Sequence, residues 1–161
     1  MCLECDGYSY EQAMLELDLL IQVHGWALVQ VEGGDATSWS YTVGLTENYG
    51  HPELAMTTVR LELQSAVIHR LVDDIVETGH LDLDLVAERE LELVEVHPTR
   101  FVQEWFGTWS NRYERPPAPG GFLQIVPPAS WFCECHASAT PRLDRPGHGP
   151  DGNRATRRRR R

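Results

Sequence analysis

The stretch "SYTVGLTENYGHPEL", residues 40–54, decides how the chain is read. It opens as a strict alternation. With the preceding residue included, Trp39, Tyr41 and Val43 fall on one face, and Ser40, Thr42 and Gly44 on the other. That period of two is the signature of an extended segment with one face buried. The alternation then breaks into a polar bend carrying Glu47, His51 and Glu53, and resumes as "ELAMTTV" (53–59). Two extended segments separated by such a bend predict paired strands over 39–45 and 53–59, with the bend at a rim of the sheet. Gly44 inside the first run predicts a bulge or a close backbone approach.

Working outward, "WALVQVE" (26–32) also alternates, and "GGDATS" joins it to residue 39, so an antiparallel hairpin precedes the bend. Ser9-Tyr10-Glu11-Gln12 has the spacing of a capping box, and Ala13, Leu17, Leu20 and Ile21 follow at helical intervals until Gly25. A helix is therefore expected over about 10–24. "LQSAVIHRLVDDIVETG" (63–79) puts Val67, Ile68, Leu71, Val72, Ile75 and Val76 on one broad face, a second helix. Residues 80–89 fit either strand or helix. "ELELVEV" (90–96) reads as a strand, Pro98 opens a third helix whose one side is Phe101, Val102, Trp105, Phe106 and Trp109, and "FLQIV" (122–126) is a fifth strand. The order is αβββαβαβ. It predicts a single α+β domain over residues 1–136, with a mainly antiparallel sheet of about five strands and about three helices on one of its faces. Residues 137–161 are rich in Pro, Gly and Arg without periodicity and read as a disordered tail.

Charge narrows the function classes. All 14 basic residues are Arg, and residues 1–150 hold eight of them against 23 acids. An acidic body repels phosphate backbones, so nucleic acid is not an expected partner of the domain. The exception is the cationic end of the chain, Arg157 to Arg161, which suits a polyanion or the acidic body itself. No apolar run reaches membrane-spanning length. No basic-then-apolar leader follows Met1, and the expected location is the cytoplasm.

"HGWALVQVEG", "SWSYTVGLTENYGHPELAMTTV" and "FLQIVPPASWFCE", together with the opening "MCLEC", resemble the bacterial family called domain of unknown function 4262. The likeness runs over about residues 1–135. It implies an intracellular bacterial protein and supplies no mechanism. The chain departs from the family pattern at its end: Pro127 and Cys133-Glu134 stand where the family usually has Trp and a Trp-Glu pair.

Four constellations are candidates for chemistry. Cys2 and Cys5, with Cys133 and Cys135, form two short thiol pairs at opposite ends of the expected domain. Thiolates so spaced can hold a zinc ion at about 2.3 Å, although reduced, unligated thiols have the same sequence. Glu47, His51 and Glu53 can supply acid, base and orienting group for a small hydrolase, or can simply build a turn. Trp39 and Tyr41 with His51 can line a pocket of a noncatalytic ligand- or protein-binding module. The aromatics Trp26, Trp39, Tyr41, Trp105, Phe106 and Trp109 have the numbers for a flavin site but the periodicity of core. The favoured expectation is the binding module, with the hydrolase and a zinc-stabilised interaction domain as alternatives.

Overall fold

A computed structural model of the chain describes residues 7–32, 38–58, 60–131 and 141–147. Helix α1 (Tyr10–His24) starts at the capping box: Gln12 N donates to Ser9 Oγ at 3.2 Å and Ser9 N to Gln12 Oε1 at 2.8 Å. Gly25, at φ 82°, ends it in the left-handed conformation that costs glycine least. Strands β1 (Ala27–Val31) and β2 (Ser38–Val43) pair antiparallel, with Ala27 opposite Val43 and Val31 opposite Trp39. Strand β3 (Glu53–Thr58) returns antiparallel on β2, with Tyr41 opposite Ala55.

The polar bend is not a loop. Leu45–Tyr49 form a one-turn helix, α2, between Gly44 and Gly50. The expectation of an irregular bend is corrected because its backbone N–H groups find a tertiary partner, described below, that stabilises a helical turn too short to persist alone.

Helix α3 (Leu61–Thr78) follows, buried through Ile68, Leu71, Val72 and Ile75, and Gly79 stops it. The ambiguous stretch resolves as helix α4 (Leu83–Glu88), because Asp82 Oδ1 accepts from the N–H groups of Asp84 and Leu85. Strand β4 (Glu92–Glu95) comes next. Pro98 opens only a 3-10 turn, Pro98–Arg100; helix α5 (Gln103–Tyr113) starts five residues later and changes direction at Phe106. Strand β5 (Phe122–Val126) inserts between β3 and β4, parallel to β3 and antiparallel to β4. The sheet order is β1-β2-β3-β5-β4, and three of its four pairings are antiparallel. The fold is α+β with a mixed five-stranded sheet.

Strand alternation splits the core. Trp39, Tyr41, Val43, Ala55 and Phe122 face a layer made by α1 and α5. Leu54, Met56 and Ile125 face α3 and α4. The helices thus cover both faces rather than the one expected. Strands β3 and β5 carry apolar residues at successive positions, Leu54-Ala55-Met56 and Phe122-Leu123, and both faces therefore need cover.

Within the stretch expected to be a tail, residues 141–147 lie against the sheet. Leu143 is fully buried in the same cluster as Val96, Trp105 and Phe122. Burial of a leucine side chain is worth roughly 1.5–3 kcal/mol, which offsets the backbone ordering of one or two residues at about 1–2 kcal/mol each; hydrogen bonds to the sheet hold the rest.

Candidate functional site

Glu53 begins β3 directly beneath the start of α2. Gly44, at φ 110°, turns the chain so that three successive N–H groups aim at the Glu53 carboxylate. Gly44 N lies 3.0 Å and Thr46 N 3.3 Å from Oε1, and Leu45 N lies 3.3 Å from Oε2. Thr42 Oγ1 donates to Oε2 at 2.7 Å, and the Trp109 indole N–H reaches Oε1 at 3.4 Å. The side chain is fully buried. Burial pushes its carboxyl above the ordinary range, while the Thr42 hydroxyl and the three N–H groups pull it back. Glu53 is a remote cap of α2: it supplies the acceptor that Gly44, lacking a side chain, does not.

Glu47 and His51 have other partners. Glu47 Oε2 accepts from Tyr113 Oη at 3.0 Å and from Arg112 Nη2 at 3.2 Å; Arg112 also pairs with Asp18 of α1. The Tyr113 phenol is pushed up to about 12, chiefly by burial. His51 Nδ1 lies 2.7 Å from Pro52 O. A carbonyl only accepts, so that nitrogen carries the proton. Thr46 Oγ1 closes the same turn onto His51 O at 3.1 Å. The three side chains proposed as a catalytic set therefore bond to different atoms and not to one another; Thr46 touches two of the residues, Glu53 through its N–H and the His51 carbonyl through its hydroxyl. Glu47 ties α1, α2 and α5 together, His51 shapes a turn, and Glu53 caps a helix.

Trp39 and Tyr41 are core residues. The Trp39 indole donates to Trp105 O at 2.8 Å, and its ring meets that of Trp105 edge-on at 5.0 Å. Tyr41 is 1 % exposed, accepts from Thr108 N at 3.2 Å and packs on Phe106 at 5.3 Å. The open depressions described on the surface lie elsewhere. One of about 710 Å³ is lined by Tyr10, Phe101, Asn111 and Arg115, and one of about 600 Å³ by Gln30, Glu62, Ser65 and His69. Cys2, Cys5, Cys133 and Cys135, and Arg157 to Arg161, lie outside the described residues. Among the described residues, no three His, Cys, Asp or Glu side chains are grouped to hold a metal ion.

A different set of side chains converges where residues 141–147 cross the sheet. Its centre is Gln124 of β5, fully buried in an otherwise apolar strand. Its Nε2 donates to Pro141 O and to Thr57 Oγ1, both at 2.9 Å, and its Oε1 accepts from Leu143 N at 2.6 Å. Thr57 Oγ1 donates to Pro141 O at 2.9 Å, and His97 N to Leu143 O at 2.8 Å. One amide side chain thus holds both a carbonyl and an N–H of the segment's main chain, two residues apart, just before the bend at residues 143–145.

Side chains flank this clamp. Leu143 fills the apolar socket, and the Arg142 guanidinium makes a two-pronged contact with Glu92, Nη1 to Oε2 at 2.7 Å and Nη2 to Oε1 at 2.9 Å. Arg142 also reaches Asp144 at 2.9 Å. The Arg142 hydrogen bonds hold the Glu92 and Asp144 carboxyls below the usual carboxylate range. Farther along, Arg100 Nε donates to Arg145 O at 3.1 Å and Gly147 N to Thr99 Oγ1 at 3.1 Å. Sequence reasoning passed over Gln124. The available signal was a long polar side chain at the middle of "FLQIV", since a buried amide must find partners.

No curated protein and no solved structure matches the chain significantly. The sequence profile of one family, described as Domain of unknown function (DUF4262), matches residues 20–130. That span takes in β1 to β5 and well over half of the chain, so the chain belongs to this family.

Proposed function

We propose that the protein is a noncatalytic binding module whose groove, formed by Thr57, Gln124, Glu92, Val96 and His97, takes a short protein segment through its main chain. The observation that carries this reading is the double hydrogen bond of Gln124 to the main chain of residues 141–143. Contacts to main-chain groups are independent of sequence, and a segment that follows the same path with an aliphatic residue for the socket meets them. The groove residues all fall within the family span 20–130, whereas the segment that fills the groove lies beyond it. The hydrolase alternative draws no support from Glu47, His51 and Glu53, whose hydrogen bonds go to separate structural partners.

The test uses the full chain with Leu143→Asp. A carboxylate in the apolar socket expels the segment, and the vacated groove then binds a fluorescein-labelled peptide of sequence TPRLDRPG, read by fluorescence anisotropy. Circular dichroism reports that the variant is folded. A folded variant that leaves the peptide free at millimolar concentration refutes the module.

A further inference from the structure

The contacts of residues 141–147 divide into those the domain offers and those the segment makes with itself. The domain offers the Gln124–Thr57 clamp, the His97 N–H, the apolar socket and the Glu92 carboxylate, and farther along the Arg100 guanidinium and the Thr99 hydroxyl to the main chain of Arg145 and Gly147. The pairing of Arg142 with Asp144 is internal to the segment. What the groove reads is therefore a main-chain carbonyl and N–H two residues apart, one buried aliphatic side chain, and a guanidinium on the residue just before it. A lysine ammonium cannot reproduce the two parallel bonds that Glu92 accepts.

Resting on the binding-module reading, we infer that the groove recognises a partner segment carrying an Arg-Leu pair, and that Pro141–Gly147 is its competitor in the same chain. The residue that sets the competition is Arg142. Nine residues, 132–140, join Trp131 to Pro141. Because the segment belongs to the same chain, its binding to its own groove is intramolecular and outcompetes a dilute partner of similar intrinsic affinity. A partner at micromolar concentration therefore enters only when the competitor is weakened. Arg142 is the place to weaken it. Its side chain is 31 % exposed, and its partners Glu92 and Asp144 lie on the surface side of the segment. Leu143, by contrast, sits in the core. Loss of the Arg142 contacts leaves Glu92 free to receive the partner's arginine.

The experiment compares full-length wild type with Arg142→Gln, using the same labelled TPRLDRPG peptide. The variant is expected to half-saturate at a peptide concentration at least about tenfold lower than wild type. A peptide with Gln in place of the first of its two arginines, the one matching Arg142, is expected to lose that gain, and so is the variant with Glu92→Gln added. In parallel, native-state hydrogen exchange follows the N–H groups of Leu143 and His97, which hold the segment on either side of its buried leucine. In Arg142→Gln both are expected to exchange at least about tenfold faster, with the Met56 and Ile125 amides unchanged. Equal peptide binding by wild type and Arg142→Gln overturns the competition and leaves the groove reading standing. Exchange of Leu143 and His97 only together with Met56 and Ile125 also overturns it, because the segment is then an inseparable layer of the fold. Binding by neither Arg142→Gln nor Leu143→Asp removes the groove reading and this inference together.

Discussion

Glu53 joins three levels of the structure with one carboxylate. Its two oxygens accept from three consecutive backbone N–H groups, a hydroxyl and an indole, all of them donors. A glutamine there keeps the shape but turns an NH₂ group toward donors on one side or the other. Glu53→Gln is therefore expected to cost about 1–3 kcal/mol through buried groups left unsatisfied, measured as a fall in urea midpoint with an unchanged slope. Glu47→Gln is the control. Its side chain is 46 % exposed, and loss of an ion pair in solvent costs less than about 1 kcal/mol. Equal losses for the two variants contradict the capping role. Tyr41 supplies a residue-scale test of the core. Burial pushes its phenol from 10.0 up to about 12. The unfolded chain ionises this group first, so its contribution to stability is complete below pH 10.0 and is lost as pH rises through about 12. The variant Tyr41→Phe lacks that titration. Its denaturation midpoint is expected to fall less steeply than that of wild type between those pH values.

At the scale of elements, the turn from β2 into α2 depends on Gly44 for two separate reasons. Its φ of 110° disfavours any side chain, and a Cβ there meets Gly25 O at 2.8 Å and Trp26 Cα at 3.1 Å. Those are backbone atoms of the α1–β1 corner and cannot rotate away. Gly44→Ala is expected to destabilise by at least about 1–3 kcal/mol, the cost of one strained backbone residue, with the loss read by thermal unfolding. Gly50, also at positive φ but with open space where a Cβ would lie, is expected to pay only the backbone part. The same corner is closed by Asn48 Nδ2 on Gly25 O at 2.8 Å and Tyr49 Oη on His24 O at 3.1 Å. Helix α2 thus works as a clasp between α1 and the first hairpin. The polar residues of the bend serve this clasp, which is why they do not gather into a cleft.

For the whole molecule, the legible part of the sequence was the part with local causes. The capping box of α1, the apolar face of α3 and the alternation of β1, β2 and β3 rest on contacts within a few residues, and each element stands within a few positions of its expected bounds. The helix boundary after Pro98 was less legible, because the 3-10 turn is held by His97 Nδ1 capping Thr99 N rather than by periodicity. Placement of helices on both faces, insertion of β5 beside β3, and the return of Leu143 to the core depend on pairings between residues far apart in the chain. So did the sites. Trp39, Tyr41, Glu47, His51 and Glu53 had the residue types of a binding or catalytic cluster, but side-chain type does not say where a side chain points. Gln124 and Glu92, more than 30 positions apart, acquire a shared role only because β4 and β5 are neighbours. What the sequence by itself determined is the five strands, the three long helices and the apolar faces of both, since these follow from spacing along the chain; the short helices α2 and α4 do not. Which donors meet which acceptors was decided only by tertiary structure, because hydrogen bonds form across space, between strands and helices whose order in the sheet no local pattern encodes.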